Sequence, residues 1–225
     1  MNITDVKVTE YIDGLYRPPT PFLGGLRRSA EKENIPIILK DTETLLLTLI
    51  EMKKPVNILE IGTAVGYSAL CFAFAVPEAR IVTLELQEKM CRIAQSNIER
   101  AGCADRIKIL QGDALMLLSK LVENQANESA GRFDFVFIDG AKGHYQKVWN
   151  ECMPLCAPGA IIVSDNILYK AMTAADEYLD IRRNKTIVGR MRAYLRHITE
   201  LPEVQTSVLP VGDGVAVSVL RGDPK

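Results

Sequence analysis

The chain has few of the residues that build disulfide-bonded domains, zinc sites or membrane spans. Its 225 residues include five cysteines, with no C-x-x-C pair, and two histidines. This composition argues against a disulfide framework and a Cys/His zinc site, so we expect reduced, mostly buried thiols. No apolar stretch is long enough to cross a bilayer, and the first residues lack the pattern of a signal peptide. We therefore expect a cytoplasmic protein without a membrane partner.

Charge of one sign is not in excess either, because the formal net charge is −1. The overall charge argues weakly against a nucleic-acid partner. Six basic residues nevertheless fall between positions 182 and 197 without an acidic one, namely Arg182, Arg183, Lys185, Arg190, Arg192 and Arg196. Such a stretch can bind phosphates in a near-neutral protein, with a solvated helix face as the alternative.

The order of apolar and polar residues predicts one α/β domain, with helices in residues 1–54 and an alternating core in residues 55–225. The predicted N-terminal helices are Val6–Leu15, Phe22–Glu33 and Thr42–Met52, the third capped by Asp41. The predicted strands are Val56–Ile61, Arg80–Glu85, Arg106–Gln111, Phe133–Asp139, Ala160–Asp165, Val204–Pro210 and Val215–Leu220. The predicted core helices are Tyr67–Val76, Glu88–Ala101, Ala114–Glu123, Tyr145–Cys152 and Lys185–Glu200, with a polar loop at residues 124–131. This alternation predicts a parallel sheet, and the Gly212–Gly214 link predicts a final antiparallel hairpin.

The most informative segment is Ile58–Ser68, in which an apolar run reaches Glu60 and is followed by Gly62 and Gly66. The pattern is typical of a buried strand that turns tightly into a helix with its backbone facing a ligand. Its spacing differs from the Gly-x-Gly-x-x-Gly of dinucleotide binders, and no lysine follows to make a P-loop. A carboxylate at the strand end suits a cationic ligand. S-adenosylmethionine, which carries an ammonium and a sulfonium charge, is such a ligand.

Acidic residues stand at or near the ends of all five strands that we expect to be parallel, namely Glu60, Glu85, Asp113, Asp139 and Asp165. Ligands of open α/β sheets bind at this edge, whereas helix N-capping is the alternative for Asp113 and Asp165. We expect Glu85 to accept the ribose hydroxyls of the cofactor, and Asp113 with Ala114 to hold its adenine edge.

The methionine part of the cofactor would then lie against the strand end that precedes the glycine loop. We expect contacts from Glu60, from the loop Gly62–Gly66 including Thr63, and from the hydroxyl of Ser68. Asp139, at the end of the neighbouring strand, is a further candidate cofactor contact and, with Lys142, a candidate catalytic residue.

Asp139, Asp165 and Asn166 follow neighbouring strands and form an all-oxygen ligand set, which favours Mg²⁺. Lys142, three residues after Asp139, is the candidate general base, with a solvated surface lysine as the alternative. A hydroxyl attacks a methyl sulfonium poorly, but a cation that lowers its pKa makes it a better nucleophile. The site therefore predicts a substrate with two adjacent oxygens, one of which becomes methylated.

From about Asp41 to Ser218 the chain resembles the cation-dependent O-methyltransferases, the family of the catechol and caffeoyl-CoA enzymes. The resemblance is carried by residues 60–68, by Phe-Ile-Asp139-Gly-Ala-Lys142 and by Asp165-Asn166. It implies a Rossmann-like class I fold with a seven-stranded sheet, helices on both faces and a reversed last hairpin. It also implies a homodimer, metal ligands at Asp139, Asp165 and Asn166 for Mg²⁺, Mn²⁺ or Ca²⁺, and cofactor contacts that include the backbone of Ile38.

Within this family the chain also resembles bacterial members that convert 5-hydroxyuridine to 5-methoxyuridine at the wobble position of tRNA. The shared segments are residues 58–68, 165–170 and 209–214, and the basic stretch 182–196 matches in character. The adjacent 5-hydroxyl and 4-carbonyl oxygens of that base can chelate a cation as catechol does. This implies a tRNA anticodon partner. The residues expected to bind it are Arg182, Arg183, Lys185, Arg192 and Arg196. Arg17, Arg27 and Arg28 could extend this basic surface. The alternatives are an enzyme acting on catechols or hydroxycinnamoyl thioesters, and a non-catalytic adenosylmethionine-binding module.

Overall fold

A seven-stranded sheet organises the chain in the computed structural model, which describes residues 4–127, 131–179 and 184–222. The strands are β1 (Asn57–Ile61), β2 (Arg80–Glu85), β3 (Ile107–Gln111), β4 (Phe133–Ile138), β5 (Cys156–Ser164), β6 (Val204–Leu209) and β7 (Val215–Leu220). Their order across the sheet is β3-β2-β1-β4-β5-β7-β6. The first five strands pair in parallel, and β7 pairs antiparallel with both β5 and β6. The predicted fold class is confirmed.

Eight α-helices are found in the described part of the chain. They are α1 (Val6–Leu15), α2 (Pro21–Lys32), α3 (Lys40–Lys53), α4 (Tyr67–Ala75), α5 (Glu88–Arg100), α6 (Ala114–Asn127), α7 (Tyr145–Cys152) and α8 (Asn184–Glu200). None of the described helices is both long and apolar enough to span a bilayer.

Alternating side chains of the central strands contribute to two hydrophobic cores, one on each face of the sheet. On one face Ile58, Phe135 and Phe137 are buried with residues of α3 and α4. On the other face Leu59 and Val136 are buried with residues of α7 and α8, which include Trp149, Met191, Tyr194 and Ile198. Because both faces are covered, ligands can approach the sheet only at its ends.

Several predicted boundaries differ from the observed ones by one residue, and three differ by more. Strand β5 begins at Cys156, not Ala160, because a register irregularity beside β4 accommodates Pro158 and Gly159. Helix α6 continues beyond Glu123 to Asn127, since its polar residues tolerate helix and no Gly or Pro interrupts them. Asp41 does not cap α3, because the helix already begins at Lys40.

The carboxylate of Asp41 instead joins α3 to the turn between β6 and β7. Its Oδ2 atom accepts the N–H of Gly212 at 2.8 Å, and its Oδ1 atom accepts the N–H of Thr42 at 2.8 Å. The N-terminal helices are thereby attached to the same end of the sheet at which β5 finishes.

A buried ion pair holds the N-terminal helices together. Arg27 of α2 donates from Nη2 to Oε2 of Glu43 in α3 at 2.6 Å, and both side chains are almost entirely shielded from solvent. Tyr16 and Tyr67 each donate a hydroxyl to Glu43, at 2.9 and 2.8 Å. Arg27 was predicted to extend a surface track for RNA, and that prediction was wrong because its guanidinium is buried.

Removal of the Glu43 carboxylate should destabilise the fold, because a buried Arg27 would lose its counter-charge. We expect Glu43→Ala to lower the free energy of unfolding by about 3–5 kcal/mol. Glu31 also contacts Arg27, at 3.3 Å, but its side chain is 50% exposed. Glu31→Ala should therefore cost about 1 kcal/mol or less. Urea unfolding of both variants measures the difference, and equal losses would contradict the assignment.

Candidate active site

Two cavities open at the end of the sheet where the parallel strands finish. The first, the glycine-loop cavity, has a volume of ≈ 360 Å³. The second, the hairpin cavity, has a volume of ≈ 320 Å³. Asp139 lines both cavities. Ligands in the two cavities would therefore both lie against this residue.

Backbone pairing of the central strands explains why Asp139 and Asp165 meet. Ile138, the last residue of β4, pairs with Ile61 on one side and with Ser164 on the other. The N–H of Asp139 donates to the carbonyl of Ile61 at 2.9 Å, and the N–H of Asp165 donates to the carbonyl of Ile138 at 3.0 Å. The two aspartates therefore stand side by side at the strand ends, as the sequence predicted.

Gly62 provides the close approach between the glycine loop and the end of β4. Its φ is 107°, and a Cβ atom built on it would lie 2.1 Å from the carbonyl oxygen of Asp139. Any side chain here would push the two strand ends apart. Gly66 serves a different contact, because its φ is 80° and a Cβ atom would lie 3.3 Å from Cβ of Ala94 in α5.

Glu60 lies beneath the glycine loop and is shielded from solvent. Its carboxylate accepts hydrogen bonds from the hydroxyls of Ser68 and Thr83, and Thr83 is in turn hydrogen-bonded to Thr63 at 2.6 Å. Burial raises the pKa of Glu60 to about 7, an effect that these hydroxyls oppose. Neither Thr63 nor Ser68 lines either of the two cavities, so the hydroxyl predicted to meet the cofactor is turned toward Glu60.

Glu85 and Asp113 line the glycine-loop cavity, together with Ala114. The carboxylate of Glu85 accepts N–H groups from Ala64 and Gln87 at 2.9 and 2.8 Å, which orients it at the end of β2. Asp113 accepts the N–H of Met116 at 3.1 Å, so the helix-capping interpretation holds for this residue. Its second oxygen has no such contact among the described hydrogen bonds and remains available to a ligand.

Asn166 and Ile38 occupy different positions relative to the cavities. Asn166 follows Asp165 in the hairpin cavity with a φ of 54°, a left-handed conformation that asparagine tolerates. Ile38 is buried, and its carbonyl accepts a hydrogen bond from Arg27 Nη2 at 2.9 Å. The neighbours of Ile38, namely Pro36, Ile37 and Leu39, line the hairpin cavity instead.

Burial raises the pKa of both Asp139 and Asp165, and the Asp139 charge raises that of Asp165 further. Lys142 opposes the rise at both carboxyls. No group of three His, Cys, Asp or Glu side chains fit to hold a metal occurs in the described ranges. The predicted set needs only two carboxylates and the Asn166 amide, and this hard oxygen set, with two like charges in need of a cation, fits a divalent ion such as Mg²⁺.

Lys142 is not among the residues that line either cavity, but contacts with the protein hold its side chain beside Asp213, which lines the hairpin cavity. Its Nζ atom lies 3.6 Å from Oδ2 of Asp213 and 4.7 Å from the ring centroid of Tyr169. Asp213 also accepts the N–H of Lys170. The solvated-lysine alternative is therefore disfavoured, and the role of Lys142 as base stays a prediction.

The predicted RNA-binding residues have different environments. Arg182 and Arg183 lie outside the described residues. Arg192 donates to the carbonyls of Thr173 and Met172 and forms an ion pair with Asp176 at 2.7 Å. Lys185 and Arg196 are exposed on α8.

Four residues at the site were not singled out from the sequence. Asp213 lies in the Gly-Asp-Gly turn, which indicated a hairpin but not that its carboxylate would face Lys142. Tyr169 and Lys170 follow Asn166 and have left-handed φ values of 46° and 53°, which no local signal predicted. Leu86 is 67% exposed and lines the glycine-loop cavity, so an apolar residue directly after Glu85 was the available signal for a ring-binding surface.

Comparison with known proteins identifies the class to which this site belongs. Residues 19–221 match the family model described as O-methyltransferase, so the chain belongs to the O-methyltransferase family. It is 40% identical over 182 residues to a catechol O-methyltransferase of Niastella koreensis, an alignment that covers 78% of each chain.

Two further similar proteins are also named O-methyltransferases. A caffeoyl-CoA O-methyltransferase of Nicotiana tabacum is 32% identical over 181 residues, covering 77% of this chain and 71% of that protein. The solved structure of an O-methyltransferase from Bacillus cereus in complex with SAH has a TM-score of 0.79 and 29% identity. That alignment covers 95% of this chain and 97% of the other.

Glu60→Gln should change how stability depends on pH. In the wild type the pKa of Glu60 rises from 4.5 to about 7 on folding, so the folded state takes up a proton between these values and loses stability as pH rises through them. The glutamine amide of the variant has no charge to bury. The free energy of unfolding of the variant minus that of wild type should therefore increase by up to about 3 kcal/mol as the pH is raised from 4 to 8.

Denaturant unfolding at several pH values measures this change. Lost hydrogen bonds to Ser68 and Thr83 would add an offset that does not depend on pH. A stability difference that stays constant from pH 4 to pH 8 would show that Glu60 is not buried as a proton-binding group.

Proposed function

We propose that this protein transfers the methyl group of S-adenosylmethionine to one of two adjacent oxygen atoms on its substrate, with a divalent cation. The position of Asp139 in the walls of both cavities carries the proposal. In this arrangement the glycine-loop cavity takes the cofactor and the hairpin cavity takes the acceptor. The carboxylate of Asp139 stands at the boundary, where donor and acceptor atoms must meet.

The lining of the glycine-loop cavity supports S-adenosylmethionine as the donor. Glu85 and Asp113 supply carboxylate oxygens for ribose hydroxyls and for the adenine edge, and Leu86 supplies apolar surface for the ring. Gly62 leaves the backbone exposed to the methionine part. The sulfonium supplies an electrophilic methyl group when the cofactor is bound. The Bacillus cereus relative, solved in complex with SAH, supports the same ligand class.

Asp139, Asp165 and Asn166 would hold the cation in the hairpin cavity. When bound, it acts as a Lewis acid that favours ionisation of the substrate hydroxyl and orients a pair of adjacent oxygens. Pro36, Ile37 and Leu39 form an apolar wall that limits water around the acceptor. Lys142, kept in place by Asp213 and Tyr169, is the group positioned to receive or relay the hydroxyl proton.

Two substrate classes carry the required pair of oxygens. Small molecules with vicinal hydroxyls are supported by the relatives, whose names are catechol and caffeoyl-CoA O-methyltransferases. The 5-hydroxyuridine of a tRNA anticodon loop is supported by exposed cations on α8, of which Arg190 contacts the segment beside Lys142. Lys185 and Arg196 are exposed on α8, and Arg190 of the same helix lies 3.4 Å from the carbonyl oxygen of Gly143, beside Lys142.

Parallel methyl-transfer assays distinguish the two substrate classes. Purified protein, labelled S-adenosylmethionine and Mg²⁺ are incubated with a catechol panel or with tRNA carrying 5-hydroxyuridine, and methyl transfer is counted. The tRNA hypothesis predicts that Lys185→Glu with Arg196→Glu lowers kcat/KM for tRNA about tenfold or more. The small-molecule hypothesis predicts transfer to catechols and no effect of these substitutions.

Lys108→Glu is the matched control, because Lys108 is an exposed lysine of β3, at the sheet edge opposite to β6. It should leave kinetics with both substrates unchanged. Transfer to neither class, with normal cofactor binding, would contradict the proposed function.

Removal of the cation should stop methyl transfer without unfolding the protein. We expect chelator treatment, or Asp165→Ala, to lower kcat at least about 100-fold, because the substrate hydroxyl would keep its proton. Added Mg²⁺ should restore the chelated wild type only. Asp105→Ala, a change at an exposed carboxylate, serves as the control. Full activity in a folded Asp165→Ala variant would remove the basis for the cation site.

A further inference from the structure

The guanidinium group of Arg27 contacts structural elements behind both cavities. Its Nη2 atom donates to the carbonyl of Ile38 at 2.9 Å and to Glu43 at 2.6 Å. Its Nε atom donates to the hydroxyl of Tyr67 at 3.2 Å, and its Cζ atom lies 4.8 Å from the centroid of the Tyr67 ring. One side chain thus touches the segment before α3 and the start of α4.

The first contact fixes a wall of the hairpin cavity. Pro36, Ile37 and Leu39 line this cavity, whereas the side chain of Ile38 is buried between them in the core. Residues 36–39 belong to neither a helix nor a strand. The hydrogen bond from Arg27 to the carbonyl of Ile38 therefore holds the middle of an otherwise irregular wall.

The second contact fixes the end of the glycine loop. Tyr67 is the first residue of α4 and directly follows Gly66. Its hydroxyl accepts from Arg27 and donates to Oε2 of Glu43 at 2.8 Å. A shift of the glycine loop on cofactor binding would move Tyr67, and through the guanidinium it would move Ile38.

We propose that Arg27 is a positioning residue that couples the glycine loop to the Pro36–Leu39 wall and so aligns donor with acceptor. The inference rests on the proposed function, because that function assigns donor and acceptor to the two cavities. Arginine suits the task since its planar group donates in several fixed directions at once. A lysine could retain the charge beside Glu43 but could not span Tyr67 and Ile38 with the same geometry.

Tyr67→Phe tests the coupling, because it removes the hydroxyl that accepts from Arg27 and keeps the ring beneath the guanidinium. Tyr16→Phe is the matched control. Tyr16 also donates its hydroxyl to Glu43, at 2.9 Å, and this hydroxyl lies 3.3 Å from that of Tyr67. Unlike the Tyr67 hydroxyl, it accepts nothing from Arg27 among the described hydrogen bonds. Both variants remove one hydroxyl donor from the same carboxylate, but Tyr67→Phe also leaves Nε of Arg27 without its acceptor, so its loss of stability should be the larger.

We expect Tyr67→Phe to lower kcat about 10- to 100-fold, with less than about a threefold change in the KM of the acceptor or the Kd of S-adenosylmethionine. Tyr16→Phe should keep kcat within about twofold of wild type. Arg27→Lys should lower kcat like Tyr67→Phe, although it retains the positive charge. Assays run well below the melting temperature, with active sites counted by cofactor binding, separate these effects from partial unfolding.

A second readout does not depend on the acceptor. In the wild type, S-adenosylhomocysteine should slow amide hydrogen exchange in a peptide covering residues 34–40 by about threefold or more. Tyr67→Phe should abolish this protection, and Tyr16→Phe should retain it. Protection that persists in Tyr67→Phe, or equal kcat in the two tyrosine variants, would overturn the proposal.

The two readouts also separate the failure of this inference from failure of the proposed function. If wild type binds cofactor but methylates neither substrate class, the proposed function fails, and the exchange experiment still decides whether Arg27 transmits cofactor binding. If wild type is active and the tyrosine variants behave alike, only the coupling fails.

Discussion

Two backbone hydrogen bonds at the end of the sheet determine the site. The N–H of Asp139 donates to the carbonyl of Ile61, and the N–H of Asp165 donates to the carbonyl of Ile138. The residues that directly follow β1, β4 and β5 therefore lie next to one another at the end of the sheet. Parallel strands end at the same edge, and their side chains meet there without competition from the covered faces of the sheet. A one-residue change in register would turn one of the aspartates away.

The buried carboxylates of this edge are stabilised in different ways, and the differences correspond to different tasks. Burial raises the pKa of Glu60, and two hydroxyls hold its carboxylate, which suits a residue that supports the glycine loop. Glu85 accepts backbone N–H groups at both carboxylate oxygens and lines the glycine-loop cavity. Asp139 and Asp165 face one another, and burial raises the pKa of each, which favours a cation between them. These carboxylates are therefore not interchangeable.

Packing of the N-terminal helices adds a layer around this edge. The Arg27–Glu43 pair joins α2 and α3 to Tyr67, the residue that follows the glycine loop and begins α4. Tyr16, directly after α1, contacts the same pair through Glu43. Asp41 joins the same helices to the turn before β7. The walls of the hairpin cavity thus come from the N-terminal segment and the C-terminal hairpin, although the chemistry-bearing residues come from the sheet.

Local pattern was sufficient for most of the fold. The alternation of strands and helices, the glycine loop after Glu60 and the Gly-Asp-Gly turn each report on nearby backbone geometry, so the seven-stranded sheet with its antiparallel hairpin was predicted correctly. The meeting of Asp139 with Asp165 followed because parallel pairing converts strand order into proximity. The start of β5 was mispredicted because Pro158 and Gly159 suggest a break that only pairing with β4 overrides.

The sequence by itself thus determined the succession of strands and helices, the reversed last hairpin and the acidic residues at the strand ends, since these depend on periodicity and residue type. Tertiary structure decided which polar groups face the cavities and which face each other. Ser68 turned inward to Glu60, Arg27 became buried against Glu43, and Asp213 came to lie beside Lys142. These outcomes depend on long-range packing and on partners for buried charges, which neighbours along the chain do not specify.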